Sequence, residues 1–322
     1  MNTELVSYEV NSKTFEGLHV KPEVKNAPCV LIAHTWAGRD GFVEGIANKL
    51  ADDGYNAFAI DMYGDGKVGG SNEENQSMMQ PLLDDRKNLS QIIVGAYEAA
   101  KKLEGVDTSN IAIMGYCFGG LVSLDLARSG VDLKGAVSFH GFLSGSEDLE
   151  DKDISAKLLV LHGHLDPMVG QDQIDSFSEE MNKKSVDWQL HSFGNAMHAF
   201  TNPDANDPSF GTVYSQDADQ RSWKIFKDFL SGSEDLEDKD ISAKLLVLHG
   251  HLDPMVGQDQ IDSFSEEMNK KSVDWQLHSF GNAMHAFTNP DANDPSFGTV
   301  YSQDADQRSW KIFKDFLSEI FS

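Results

Sequence analysis

The feature that most constrains this chain is a repetition: residues 144–230 recur, letter for letter, as residues 231–317 of the 322-residue sequence. Solenoid repeats are short and diverged, because each unit drifts while its stacking face is kept. Two identical copies of 87 residues do not fit that pattern. The tripeptide Phe-Leu-Ser marks every junction, at Phe142–Leu143–Ser144, Phe229–Leu230–Ser231 and Phe316–Leu317–Ser318. Such a shared junction is what tandem duplication by slippage or recombination leaves behind. We therefore read a parent of 235 residues with one extra copy of its C-terminal part. Residues 1–230 form one domain, 231–317 a second copy of 144–230, and 318–322 a tail.

Charge narrows the partners. One copy carries 7 basic and 16 acidic side chains, so the net charge is −26 for the whole chain and −17 for the parent. Either value repels phosphate backbones and anionic headgroups, and no Lys/Arg-rich stretch offsets it, which argues against nucleic-acid and membrane-surface roles. At 40% hydrophobic residues there is enough apolar material for a core. The two cysteines, Cys29 and Cys117, exclude a disulfide-rich scaffold. The first residues lack a basic n-region, and no run approaches the roughly 18 apolar residues of a membrane span, so a soluble, cytoplasmic protein is expected.

Apolar runs rich in β-branched residues alternate with helical patterns, which predicts an α/β chain with a doubly wound, mostly parallel sheet. Strands are expected at Cys29 to Ala33, Asn56 to Ile60, Ile111 to Met114, Ala136 to Phe139, Leu158 to Leu161 and Trp188 to Phe193. Helices are expected at Phe42 to Asp53, Leu89 to Leu103, Leu121 to Ala127, Ile174 to Met181 and Arg221 to Leu230. Leu5 to Val10 and Phe15 to Val20, split by Asn11-Ser12-Lys13, read as a hairpin at the sheet edge.

After the strand ending at Met114 comes Gly115-Tyr116-Cys117-Phe118-Gly119-Gly120 and then a helix. This Gly-x-Cys-x-Gly is a nucleophile elbow with Cys in place of Ser. Its glycines are needed because the nucleophile sits on a strained turn where flanking side chains would collide with backbone. The following helix start favours negative charge and aims N–H groups at a developing oxyanion. Asp166, in His162-Gly163-His164-Leu165-Asp166-Pro167, lies just past a strand, where doubly wound sheets place their chemistry. His198 follows in a loop after the last strand. The order Cys117, Asp166, His198 is that of α/β-hydrolase triads and not of the chymotrypsin or subtilisin types. Taken singly, each has a plain reading: a small buried Cys, a turn Asp before Pro167, a loop His.

Together these residues resemble the dienelactone hydrolase (carboxymethylenebutenolidase) family of α/β-hydrolases. The resemblance runs through His34-Thr35-Trp36-Ala37-Gly38, the Cys117 elbow, Val137-Ser138-Phe139-His140-Gly141, Leu161-His162-Gly163 with Asp166-Pro167, and His198-Ala199-Phe200-Thr201-Asn202-Pro203. It implies an α/β-hydrolase fold that cleaves small esters or lactones without cofactor or metal. Cys117 would attack the carbonyl, His198 would shuttle the proton, and Asp166 would orient the imidazole. The backbone N–H groups of Trp36 and Phe118 would form the oxyanion hole. Thr35, Phe139, His140 and Phe200, like Trp36 and Phe118, are candidates to line the pocket. The best-known members carry a Glu where this chain has Thr35 and an Arg where it has Asn202, which argues against an anionic dienelactone as substrate.

Competing signals are fewer. Gly64-Asp65-Gly66-Lys67-Val68-Gly69 spells the dinucleotide pattern, but the polar run Ser71 to Gln76 offers no helix start, so a flexible loop is expected there. His162, His164 and Asp166 imitate a zinc-hydrolase motif that Pro167 interrupts. The acidic run Glu147 to Asp153 reads as a solvated connection. A non-catalytic relative that binds a small molecule or a protein is the remaining alternative.

Asp253 and His285 duplicate Asp166 and His198, yet the elbow is single, so one chain builds only one triad. Docking the second copy lengthens the connection from about 14 to about 101 residues, which costs roughly 1.7 kcal/mol of closure entropy and favours the first copy about twentyfold. Duplicate strands such as Leu245 to Leu248 should then lack a native partner, with aggregation, swapping or disorder as the outcome, whereas the parent would be a monomer.

Overall fold

The computed structural model describes residues 2–149, 151–231, 244–270 and 273–320. It divides into two units, Met1–Gly232 and Ser233–Ser322.

The first unit begins with β1 (Asn2–Val10) and β2 (Lys13–Lys21), paired antiparallel from Asn2↔Lys21 to Val10↔Lys13. Asn11 and Ser12 have φ of 51° and 61°, the left-handed pair that a two-residue hairpin turn demands. Then come β3 (Ala27–Ala33), α1 (Gly41–Asp52), β4 (Asn56–Ala59), α2 (Asn72–Asp84), α3 (Arg86–Ala100), β5 (Val106–Tyr116), α4 (Phe118–Arg128) and β6 (Gly135–Phe139). After them follow β7 (Lys157–Gly163), α5 (Gln171–Lys183), β8 (Trp188–Phe193), the short β9 (Asn206–Asp207) and β10 (Thr212–Val213), and α6 (Gln216–Leu230). The sheet order is β1-β2-β4-β3-β5-β6-β7-β8, with every pair from β4 to β8 parallel. All six expected strands and the edge hairpin are present, several of them longer than their apolar cores.

Period-two alternation sorts side chains to the two faces of the sheet. Cys29, Leu31, Ile113, Leu158 and Val160 join one buried cluster with residues of α3, α4 and α5. Val30, Ile32, Met114, Val137, Leu159 and Leu161 join the other with residues of α1 and α6. Because β3 sends the chain to β4 on one side while β5 lies on its other side, a crevice opens at the carboxyl ends of β3 and β5, where doubly wound sheets bind ligands.

One expectation is corrected here. The polar run after Gly70 starts α2: Ser71 Oγ accepts the N–H of Glu74 at 3.2 Å, and Glu74 Oε2 accepts that of Gly70 at 2.9 Å. The preceding glycines form no phosphate cradle. The carboxylate of Asp61 accepts the N–H groups of Tyr63, Gly64 and Gly66 at 2.9 Å each and that of Glu16 at 3.0 Å, so the loop is built around its own anion. Of the acidic run, Glu150 lies outside the described residues, and Asp151 pairs with Lys184.

The second unit carries β11 (Leu245–Gly250), α7 (Gln258–Lys270), β12 (Trp275–Phe280), β13 (Asn293–Asp294), β14 (Thr299–Val300) and α8 (Gln303–Ile320). Leu245 to Leu248 therefore do find a partner, contrary to expectation: β11 runs parallel to β12 from Leu245↔Trp275 to Gly250↔Phe280, the register of β7 on β8. Its surroundings differ, since Leu158 to Leu161 are buried and Leu245 to Leu248 are half-buried. No helix among the described residues is long and apolar enough to cross a membrane.

Candidate active site

Cys117 occupies the turn between β5 and α4 with φ 56° and ψ −117°, a conformation that costs a residue with a side chain about 1–3 kcal/mol. Its N–H donates to Phe139 O at 3.0 Å, and its carbonyl accepts from Gly120 N at 3.0 Å, which pins the turn from both ends. The flanking glycines are steric necessities. A Cβ on Gly115 would lie 2.0 Å from Gly119 O, and one on Gly119 would lie 2.1 Å from Ala33 O.

Asp166 sits in the turn after β7. One carboxylate oxygen accepts the N–H of Met168 at 2.8 Å and the other lies 2.7 Å from His198 Nδ1. Both side chains are buried. The backbone of His198 is tied to the β9–β10 hairpin, its N–H donating to Gly211 O at 3.0 Å and its carbonyl accepting from Val213 N at 3.2 Å. Its Nε2 is buried without a hydrogen bond of regular geometry, and the side chain of Cys117 is the neighbour that acts on it. Burial would depress the imidazole's pKa, but the Cys117 side chain and the Asp166 carboxylate outweigh burial and raise it to about 10. An unfolded histidine titrates near 6.5. The stability this ring contributes is thus complete below about pH 6.5 and is lost as pH rises toward 10. Because Cys117 supplies the larger of the two raising causes, Cys117→Ala should bring the His198 titration midpoint down by more than about one unit. Ring-proton NMR of the variant beside the wild type checks this, with His198→Ala to assign the signal.

His140, which also lines the cavity, lies 5.1 Å from the His198 ring, centroid to centroid. Its Nε2 is 2.9 Å from Thr201 Oγ1. Burial, and then repulsion from His198, holds its pKa well below the usual histidine range, so it stays neutral. On the opposite side, Met62 N–H donates to His34 Nε2 at 3.1 Å, which leaves the proton on Nδ1 to bond Thr35 O at 2.6 Å. That bond turns the Thr35 carbonyl toward His34, and Tyr63 Oη holds the next carbonyl, that of Trp36, at 2.9 Å.

The cavity over Cys117 has a volume of about 460 Å³. Of the pocket candidates, Thr35, Trp36 and His140 line it, and Phe118, Phe139 and Phe200 do not; Asn202 lines it as well. Phe118 packs its ring against Tyr63, Phe139 stacks on Tyr116 at 4.7 Å, and Phe200 meets Phe193 and the edge of His140, all in the core. Phe42, Phe142, Met168 and Phe210 supply the apolar walls instead, with Asn72, Gln76 and Met79 from α2. Sequence reading missed them because they come from separated segments. Phe210 alone carried a local signal, a large aromatic in a polar Asp/Ser/Gly loop. Besides Cys117 and His198, the cavity's ionisable side chains are His140, Asp204 and Asp207, and among the described residues no Lys or Arg lines it.

His162, His164 and Asp166 do not converge: His162 is buried, His164 is exposed, and Asp166 is committed to His198. Among the described residues no group of three His, Cys, Asp or Glu side chains is placed to hold a metal ion. In the second unit, Asp253 and His285 repeat the acid–imidazole pair at 2.8 Å, and that unit's sequence contains no cysteine.

The sequence matches the dienelactone hydrolase family over residues 15–234 and again over 231–321. An uncharacterized protein of Caenorhabditis elegans is 36% identical over 154 residues, covering 46% of this chain and 95% of that one. A putative carboxymethylenebutenolidase of Yersinia pestis is 28% identical over 205 residues, covering 60% and 75%. The crystal structure of a dienelactone hydrolase-like promiscuous phosphotriesterase from metagenomic libraries superposes with a TM-score of 0.68 at 31% identity, covering 72% of this chain and 98% of that one. The chain belongs to the dienelactone hydrolase family and is a carboxylic ester or lactone hydrolase.

Proposed function

We propose that the chain hydrolyses small, uncharged esters or lactones through a thioester on Cys117. The observation that carries this reading is the meeting of Cys117, after β5, and His198, after β8, at one cavity, with Asp166, after β7, bonded to His198 Nδ1 at 2.7 Å. The sulfur of Cys117 attacks the ester carbonyl, forming a C–S bond and an oxyanion. The N–H groups of Trp36 and Phe118 donate to that oxyanion; Phe118 is the first residue of α4, and a helix's first N–H groups have no partner within it. Collapse breaks the C–O bond, and His198 gives its proton to the departing alkoxide. His198 then takes a proton from water, whose oxygen displaces the sulfur and releases the acid. Asp166 holds the ring in the tautomer both steps need.

The substrate class follows from the walls. Two carboxylates beyond the Cys117–His198 pair, no Lys or Arg lining the cavity among the described residues and a net charge of −26 disfavour an anionic substrate, while Trp36, Phe42, Phe142 and Phe210 favour an apolar one. A phosphotriester is also an uncharged ester, so the activity attributed to the similar metagenomic protein belongs in the same substrate panel. p-Nitrophenyl acetate and the half-ester p-nitrophenyl succinate, which carries a free carboxylate, test the class. The neutral ester should be preferred by at least about tenfold in kcat/KM, with the gap narrowing as salt screens the field. Equal or reversed preference contradicts the uncharged-substrate reading.

A further inference from the structure

We infer that His34 and Tyr63 are positioning residues for the hydrolysis: by holding the carbonyls of Thr35 and Trp36, they aim the Trp36 N–H at the substrate's carbonyl oxygen over Cys117. The inference deepens the cysteine-hydrolase reading and rests on it. Thr35 to Gly38 form a turn past the end of β3, closed by the Gly38 N–H on Thr35 O at 3.3 Å. The Trp36 N–H makes no hydrogen bond among the described residues, and Thr35, Trp36 and Cys117 line the same cavity. Such a donor serves an oxyanion only if its direction is fixed beforehand, because the hole works through dipoles that do not reorganise as charge develops.

His34 fixes that direction through the peptide plane. In a trans peptide the carbonyl of one residue and the N–H of the next point to opposite sides. The Thr35 carbonyl is drawn to His34 Nδ1 at 2.6 Å, so the Trp36 N–H is turned away from His34 and its buried surroundings. The roles of the two ring nitrogens cannot exchange. The Met62 N–H donates to Nε2 at 3.1 Å, so Nε2 carries the lone pair and Nδ1 the proton. Burial holds the pKa of His34 below the usual histidine range, which keeps the ring neutral and Nε2 able to accept. Tyr63 fixes the next plane. Its hydroxyl donates to Trp36 O at 2.9 Å, while the Ala37 N–H of the same peptide donates to Thr35 Oγ1 at 3.2 Å. Met62 and Tyr63 are neighbours in the loop that Asp61 anchors after β4, the strand paired with β3, and the His34 and Tyr63 rings meet at 4.7 Å. Both sides of the Trp36 backbone are thus held from one anchored segment.

The test compares full-length wild type with His34→Gln, His34→Asn and Tyr63→Phe, on p-nitrophenyl acetate and on its thiono counterpart, in which sulfur replaces the carbonyl oxygen. Sulfur is a poor hydrogen-bond acceptor, so an aligned oxyanion hole favours the oxygen ester and a misaligned one loses that preference. Loosened packing, by contrast, slows both substrates alike. Gln reaches the position of Nε2 but places no donor at that of Nδ1, and Asn does the reverse. His34→Gln should lose about tenfold or more in kcat/KM on the oxygen ester and a similar factor in oxygen-over-sulfur preference, since a displaced donor forfeits part of the roughly hundredfold that a deleted one costs. His34→Asn should keep that preference within about threefold of wild type. Tyr63→Phe, which keeps the ring and its packing, should lose severalfold in the same preference, and it decides the matter if the His34 variants do not fold. An unchanged preference in folded His34→Gln or in Tyr63→Phe, or equal losses in His34→Gln and His34→Asn, overturns the inference. A Cys117→Ala chain as active as wild type instead overturns the cysteine reading beneath it.

Discussion

Cys117→Ala should lower kcat/KM on p-nitrophenyl acetate by about three to four orders of magnitude while leaving the fold intact. On the proposed mechanism the loss is large because Cys117 acts as a unit with His198 and Asp166, and no other thiol can take its place. Cys29 is completely buried in the middle of β3, and burial pushes its thiol up to about 12. The fold tolerates the change because the Cys117 side chain faces the cavity and not the core. Removing it also relieves none of the backbone constraint, which lies in the hydrogen bonds to Phe139 and Gly120. Initial rates, with circular dichroism to verify the fold, check both halves. Comparable rates for the two proteins would remove Cys117 from the mechanism.

The second large effect concerns a residue that touches no substrate. Gly119→Ala would set a methyl group 2.1 Å from Ala33 O and 2.6 Å from His34 O, distances at which atoms cannot coexist. Both obstacles are backbone at the end of β3, so relief requires α4 and the Thr35–Trp36 loop to separate. That movement parts the two N–H groups assigned to the oxyanion hole, and displacement by about an ångström costs on the order of a hundredfold in rate. Overpacking of this kind also destabilises by about 1–3 kcal/mol. Gly45→Ala is the control: nothing lies within 4 Å of its added carbon, and in the middle of α1 it should gain about 0.4–1 kcal/mol. Urea midpoints and kcat for both variants decide the matter. A Gly119→Ala protein as stable and active as wild type would mean the elbow is looser than its contacts require.

Much of this was legible because the sheet advertises itself. Val30, Leu31 and Ile32, or Leu158 to Leu161, are apolar on both faces, as parallel strands covered by helices on two sides must be. The elbow was legible because its chemistry needs glycines at fixed offsets from the nucleophile, and the structure explains both offsets by contacts under 2.2 Å. What escaped was polar or tertiary. α2 has an acidic, amide-rich first half, and its signature is the Ser71–Glu74 cap followed by Met79 and Leu82, an apolar pair too short to register as a stripe. Asp61 and His34 shape the loops around the site through hydrogen bonds to backbone, and residue type alone does not reveal such bonds. The pocket assignments for Phe139 and Phe200 erred because alternation along a segment says which residues share a face but not whether that face meets solvent or an opposing helix.

The central claim is a covalent thioester on one cysteine. Wild type and Cys117→Ala, mixed briefly with p-nitrophenyl acetate, quenched in acid and weighed intact by mass spectrometry, address it most directly. The wild type should gain the mass of a single acetyl group, located to the peptide containing Cys117 after digestion, and the variant should gain none. A wild type that releases p-nitrophenol at a steady rate with no acetyl group on Cys117, or an acetylated variant, would contradict it.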